Sequence, residues 1–262
     1  TDEAAAAPPV GRLAPSPTGV LHLGNARSFL LAWLDLRSRG GIARLRIEDL
    51  DGPRVRPGME AAALEDLRWL GLDWDGEPMR QSERAAEYAH ALGRLAASGL
   101  AYPCVCSRSD VERAASAPHL GEEGPLYPGT CRGRWRSADE AFAETGLAAC
   151  WRFRVPEAGT EESLVVFEDR ICGEVRYDVG AQLGDFVLQK RDGEAGYQLA
   201  VCVDDSAQAV TEVMRGDDLL RSTARQVLVL RALSLPIPNY AHLPLVVGPD
   251  GSRLAKRHGD TS

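Results

Sequence analysis

Gly11-Arg12-Leu13-Ala14-Pro15-Ser16-Pro17-Thr18-Gly19-Val20-Leu21-His22-Leu23-Gly24-Asn25 is the stretch on which the reading of this chain turns. It opens as a short apolar strand, breaks at Pro15, Pro17 and Gly19, and presents His22 and Gly24 ahead of a helical pattern that starts at Asn25. Strand, tight turn, small residues and helix N-terminus in that order make an anion site, because unpaired backbone N–H groups and the helix dipole point the same way. His22 adds a donor that can sit on a phosphate at neutral pH. Taken alone, His22-Leu23-Gly24-Asn25 reads first as a turn with an exposed histidine. The whole run from Gly11 to Asn25 is far more specific.

Working outward, residues 25–39 are expected to form a helix with Asn25 as its N-cap. Phe29, Leu30, Trp33, Leu34 and Leu36 supply its apolar face, and Gly40-Gly41 stops it. A strand over Ile42–Ile47 completes a βαβ unit, which implies a parallel sheet with a right-handed crossover. Glu48-Asp49-Leu50-Asp51 then falls at the carboxyl end of a strand, where open α/β sheets bind ligands. Amphipathic helices are expected over 59–70 and 82–98.

The character changes near Tyr102. Cys, Pro, Gly and Arg dominate to Arg136, and strand-like runs follow at 150–155, 164–169 and 173–177. This reads as an insertion with a small α+β fold. The apolar strand pattern resumes near 185–188 and 197–203, followed by a helix over 219–233 and a last strand over 242–247. The expected fold class is α/β, a Rossmann-like doubly wound parallel sheet with an inserted α+β subdomain. A disordered leader is expected over 1–9, the first half of the α/β domain over 10–101, the insertion over 102–184, and the second half over 185–262.

Composition bounds the function. The 262 residues are 44% hydrophobic and 26% charged, enough for one large domain or two small ones. No apolar run approaches the ~18 residues a membrane span needs. Residues 1–10 are Ala/Pro-rich and lack the basic start and apolar core of a secretory signal. Six cysteines without such a signal favour a reducing cytoplasm, and metal or core roles over disulfides. The net charge of −8 argues mildly against a nucleic-acid partner, although a local basic patch suffices. Arg132, Arg134 and Arg136 crowd one segment around Trp135, either as a solvated loop or as phosphate contacts. Only two lysines, Lys190 and Lys256, stand among 30 basic residues, so each retained Lys hints that a compact ammonium is wanted there. The chain stops at Ser262, soon after Lys256, which is an abrupt end for a domain.

Other residues carry open readings. Cys104, Cys106 and Cys131 close one loop, either as soft ligands of a zinc ion or as buried reduced thiols. Cys150, Cys172 and Cys202 lie in strand-like runs and read as core. Asp204-Asp205 could bind a metal, with an acidic pair at a helix N-terminus the favoured reading. Glu48 and Arg215 could form a structural salt bridge with each other, and Lys190 has no assigned role.

The run from Gly11 to Asn25 resembles the signature of class I aminoacyl-tRNA synthetases of the glutamyl/glutaminyl subclass, in which R-x-A-P-S-P-x-G leads into H-x-G-[HNG]. Ser252-Arg253-Leu254-Ala255-Lys256-Arg257 resembles the mobile K-M-S-K-S loop of that class. Lys256 matches its second Lys, while Arg253 replaces the first Lys and Ala255 the Ser. Within the family the chain is similar to the short glutamyl-queuosine tRNA(Asp) synthetases. Tyr197-Gln198-Leu199-Ala200-Val201-Cys202-Val203-Asp204-Asp205 is similar to their Y-Q-L-A-V-V-V-D-D, and Gly216-Asp217-Asp218-Leu219 to their G-A-D-L. Cys104-x-Cys106 followed by Tyr127-x₃-Cys131 is similar to the zinc pattern of their insertion. Full glutamyl-tRNA synthetases instead read Y-H-x-A-N and carry a helical anticodon-binding region after the mobile loop.

The resemblance implies activation of L-glutamate with ATP and Mg²⁺, then transfer to queuosine of tRNA(Asp). It implies His22 and Lys256 as catalytic residues on the phosphates, with ATP held by His22, Gly24, Asn25, Leu243, Leu245 and Lys256. The strand edge from His242 to Leu245 would receive the adenine. It implies Arg12, Ser16, Glu48, Tyr197 and Arg215 around glutamate. That set makes chemical sense, since an acidic amino acid needs one carboxylate for its ammonium and two arginines for its carboxylates. It also implies one structural Zn²⁺ on Cys104, Cys106, Tyr127 and Cys131. A cytoplasmic monomer with no membrane partner is expected. The alternatives are a catalytic fragment of a glutamyl-tRNA synthetase charging the 3′ end of tRNA(Glu), and a catalytically idle RNA-binding paralogue.

Overall fold

The computed structural model describes residues 7–19, 21, 23–50, 52, 55–114 and 126–246. Strand β1 (Val10–Leu13) runs into the Pro15–Gly19 turn, helix α1 (Leu23–Ser38) follows, and Gly40, at φ 64°, turns the chain into β2 (Ile42–Ile47). β1 and β2 pair in parallel from Val10↔Ile42 to Leu13↔Leu45, the βαβ start that the sequence predicts. The helix begins at Leu23, so Asn25 lies in its first turn and is not the N-cap. Helix α2 (Met59–Trp69) then leads to the short β3 (Met79–Arg80), which extends the sheet in parallel beside β2.

Helix α3 (Ala85–Ala97) precedes a second, antiparallel sheet. Its strands are β4 (Ala101–Cys104), β5 (Cys150–Phe153) and β8 (Val187–Gln189), in that order across the sheet. Helices α4 (Arg108–Ala114) and α5 (Ala138–Thr145) lie between β4 and β5. Ser137 caps α5 by accepting from Glu140 N, and Gly146 closes it in the left-handed region. The hairpin of β6 (Leu164–Asp169) and β7 (Gly173–Asp178) joins the main sheet, and the short α6 (Val179–Gln182) follows it.

The chain returns through α7 (Tyr197–Ala207), β9 (Glu212–Gly216), α8 (Leu220–Leu233) and β10 (Asn239–Leu243). β10 lies between β9 and β6 and is parallel to both. β9 starts against β1, where Thr211 N donates to Val10 O at 2.8 Å. Gly11 permits that approach: a Cβ there would meet a Leu36 methyl at 2.5 Å and Glu212 O at 3.2 Å. The strands therefore line up as β3-β2-β1, then β9-β10-β6-β7. The chain leaves β1 in one direction and returns to its other side, which opens a crevice at the strands' carboxyl ends.

Three further sequence expectations change. Residues 197–203 form the first turns of α7, not a strand. Leu199, Ala200, Val201 and Cys202 are all buried, and a short continuous apolar run has no periodicity to separate a buried helix from a buried strand. The last strand is Asn239–Leu243, ending before Pro244. Cys172 is exposed in the β6–β7 turn and is not a core residue, unlike Cys150 and Cys202.

Candidate active site and thiolate cluster

The carboxyl ends of β1, β2, β9 and β10, with the first turn of α1, enclose a cavity of about 330 Å³. Arg12, Ser16, Glu48, Tyr197 and Arg215 line it, and so do Gly24, Asn25, Leu243 and Leu245. All the residues expected around an amino acid therefore meet, in one space, the described residues expected around a nucleotide. His22 and Lys256, with Arg253 and Ala255, lie outside the described residues. The sequence did not single out Arg27, which lines the same cavity from α1 and donates through Nη1 to Pro244 O at 2.6 Å. Its place one turn into the helix that follows the quoted stretch is the signal that could have found it.

The floor of the site is a buried charge network. Arg46 and Glu48 are two residues apart at the end of β2, so they share one face. Arg46 is fully buried and donates to Glu48 Oε1 at 3.1 Å and to Asp205 Oδ1 at 2.5 Å. Arg12, from β1, also donates to Asp205 Oδ1, at 3.3 Å. Burial works to raise the Asp205 pKa, but Arg46 and Arg12 hold it below the ordinary carboxylate range. Asp204 accepts from Arg84 Nε at 2.6 Å, Tyr88 OH at 2.7 Å and Gln81 Nε2 at 2.8 Å. The Asp204-Asp205 pair is thus not at a helix N-terminus. It sits in the second half of α7 and fastens that helix beneath the cavity.

Arg215, near the end of β9, is held on three sides. Its Nη2 donates to Thr223 Oγ1 at 2.6 Å and to Gln226 Oε1 at 2.7 Å, and its Nε points at His242 Nε2 at 3.3 Å. Its Nη1 reaches Tyr197 OH at 3.4 Å. Glu48 and Arg215 each have other partners and do not form a mutual ion pair. Gly196 sets Tyr197 in place, since a Cβ there would lie 2.8 Å from Val187 O. His242 is wholly buried, so the strand edge offers the cavity Leu243, Pro244 and Leu245 but not the histidine ring. Lys190 pairs with Glu194 at 2.8 Å and donates to Leu50 O at 3.3 Å.

The second constellation lies beside the antiparallel sheet. The Sγ atoms of Cys104, Cys106 and Cys131 all lie within 4.8 Å of one another. Tyr127 OH is 3.3 Å from Cys104 Sγ and 3.6 Å from Cys106 Sγ, and it accepts from Cys131 N at 2.9 Å. Tetrahedral zinc at Zn–S of about 2.3 Å separates its thiolates by roughly 3.8 Å. Three sulfurs and a phenol at these separations fit that donor set. Arg152 covers the Tyr127 ring at 4.0 Å and donates to Cys104 Sγ at 3.3 Å. The Cys104 thiol is pushed down by a hydrogen bond from Cys150, against burial, with Tyr127 and Arg152 adding to the shift. Of the neighbouring basic run, Arg132 pairs with Asp185 and Arg134 with Glu144, so much of its charge is neutralised within the chain.

Residues 10–262 match the family described as tRNA synthetases class I (E and Q), catalytic domain, and the chain belongs to that family. It is accordingly an aminoacyl ligase by class. Within the family it is 53% identical to a glutamyl-Q tRNA(Asp) synthetase of Symbiobacterium thermophilum, over 95% of this chain and 78% of the relative. A glutamyl-Q tRNA(Asp) synthetase of Rhodopirellula baltica is 47% identical, over 96% of this chain and 78% of the relative. Among solved structures, a glutamate tRNA ligase from Elizabethkingia meningosepticum, in complex with its amino acid, superposes with a TM-score of 0.81 at 30% identity. That match covers 97% of this chain and 53% of the ligase, so the chain spans about half the length of that solved relative.

Proposed function

We propose that this protein activates L-glutamate with ATP and transfers the glutamyl group to queuosine at the wobble position of tRNA(Asp). The observation that carries the reading is the single cavity in which Arg12 and Arg215 face Glu48 and Tyr197 beside the first turn of α1. Glu48 would take the substrate ammonium, and Arg12 and Arg215 its two carboxylates, with Ser16 and Tyr197 completing the shell. Leu243 and Leu245 would flank the adenine, and Gly24 and Asn25 would offer backbone N–H groups to the phosphates.

The chemistry has two steps. An α-carboxylate oxygen of glutamate attacks the α-phosphorus of ATP, the bond to the β-phosphate oxygen breaks, and pyrophosphate leaves with its Mg²⁺. A queuosine hydroxyl then attacks the glutamyl carbonyl carbon, the bond from that carbon to the phosphate oxygen breaks to free AMP, and the hydroxyl proton passes to water. His22 and Lys256 would offset the charge that builds on the phosphates, which is catalysis by positioning and electrostatics. The parallel strands and the helices around them would supply the activation site, and the insertion between β4 and β5, beside the antiparallel sheet, would present the acceptor. Zinc on Cys104, Cys106, Tyr127 and Cys131 would brace that insertion by tying the loop after β4 to the segment before α5. A cytoplasmic monomer is the expected form.

ATP–pyrophosphate exchange with L-glutamate, run with and without tRNA, tests the reading. Exchange without tRNA, followed by glutamylation of queuosine-containing tRNA(Asp), is the expected outcome. Exchange only with tRNA(Glu) would point instead to 3′-end charging, and no exchange under either condition to an idle RNA-binding paralogue.

A further inference from the structure

His242 is buried in β10, and the functional reading above gives its ring no role. The ring joins three elements. Its Nδ1 is 2.6 Å from Asp169 Oδ2 at the end of β6, and its Nε2 is 2.9 Å from Thr223 Oγ1 on α8 and 3.3 Å from Arg215 Nε on β9. A carboxylate only accepts, so the ring proton sits on Nδ1 and Nε2 presents a lone pair. Burial and then the Arg215 guanidinium push the His242 pKa below its ordinary value, against the pull of Asp169, and the ring is neutral at neutral pH.

Counting protons around Thr223 completes the picture. Its hydroxyl accepts from Arg215 Nη2 and has one proton, within reach of His242 Nε2 at 2.9 Å and of Leu219 O at 3.1 Å. The Nε2 lone pair therefore faces two donors, the Thr223 hydroxyl and Arg215 Nε, and holds the guanidinium both directly and through Thr223. Nε then faces His242, and Nη2 faces Thr223 and Gln226. The Nη1 edge beside Tyr197 is the one that serves the cavity both residues line.

We propose that His242, its tautomer set by Asp169, is a positioning residue that fixes the rotation of Arg215 and thereby aims its Nη1 edge at the carboxylate of the amino-acid substrate. The role rests on the reading that Arg215 binds glutamate. The β9–β10 register, which places Arg215 opposite His242, is what allows one ring to set the other side chain. The opposite tautomer would aim an N–H at the guanidinium and lose the acceptor.

The test is ATP–pyrophosphate exchange on the full chain with His242→Leu and His242→Gln, varying L-glutamate and ATP separately. KM for L-glutamate should rise at least about tenfold in His242→Leu, equivalent to ~1.4 kcal/mol, with KM for ATP within about twofold of wild type. His242→Gln, which restores an acceptor, should recover much of that loss, as a merely space-filling role would not allow. An unchanged KM for glutamate in His242→Leu, an equal rise in both KM values, or no recovery in His242→Gln overturns the proposal. Absence of exchange in the wild type would overturn the functional reading, and this role with it. Nitrogen NMR of the wild-type imidazole keeps the proposal testable even if the variants fail to fold: protonated Nδ1 and bare Nε2 support it, and the reverse overturns it.

Discussion

Arg46 and Asp205 meet at 2.5 Å beneath the end of the cavity lined by Arg12 and Glu48, one from β2 and the other from α7, with both side chains buried. The pair ties the first βαβ unit to the returning half of the chain. Removing one partner of a buried pair strands the other charge, at a typical cost of about 3–5 kcal/mol. Asp205→Ala should therefore lose stability of that order in urea unfolding. It should also release Arg12, whose Nε shares the same carboxylate oxygen, and raise KM for glutamate.

Arg215→Ala should weaken glutamate far more than ATP. A hydrogen bond to a charged group contributes about 1.5–3 kcal/mol, so KM for glutamate should rise roughly 10- to 150-fold. Steady-state exchange with each substrate varied in turn reads this directly. Similar changes in both KM values would remove Arg215 from the amino-acid site.

His22→Ala and Lys256→Ala should each slow adenylate formation at least about tenfold, a barrier change of ~1.4 kcal/mol. Single-turnover formation of glutamyl-adenylate is the measurement. Undiminished rates in both variants would sink the assignment of those two residues to the phosphates.

One zinc per chain is expected on the Cys104, Cys106, Tyr127 and Cys131 set, measurable by metal analysis of the purified protein. Cys131→Ser should lower that stoichiometry, and a strong chelator should lower the wild-type melting temperature but not that of the variant. Binding free energy of this kind is felt as folding free energy.

Acid should loosen the joint between β6 and β10. Burial works to raise the Asp169 pKa, but the backbone N–H of Cys172, the His242 ring and further N–H donors hold it at about 2, below the 3.8 of a free group. A depressed carboxylate contributes stability that is present above the unfolded value and is lost as pH falls through the folded one, here between about pH 4 and 2. The shift corresponds to about 2 kcal/mol. His242 adds a loss of the same sign from pH 6.5 downward, because its depressed pKa leaves the unfolded chain binding the extra proton. In urea unfolding, the stability gap between wild type and Asp169→Asn should narrow from pH 5 towards pH 3. A gap that stays constant would show that the folded Asp169 is not perturbed.

The opening βαβ unit was legible in the sequence because local physics decides it: Pro and Gly break the chain at known points, and helical periodicity runs unbroken from Phe29 to Leu36. The side chains of the cavity were legible through the resemblance to class I glutamyl synthetases, which points to them position by position, and the need of an acidic amino acid for one carboxylate and two cations agrees with that set. Their partners were not. Asp205 serves Arg12 and Arg46 from more than 150 residues away, and nothing local to Asp204-Asp205 distinguishes a buried anchor from a helix-start pair. Helix α7 looked like a strand because burial on every side erases its period. His242 looked like part of a ligand edge, and only the β9–β10 register and the approach of Asp169 turned its ring towards Arg215. Sequence determined the chemical groups and the local elements, which depend on neighbours within a few residues. Tertiary structure decided which buried charges share a partner, because a charge excluded from water takes whatever partner the packing of distant strands and helices brings within reach.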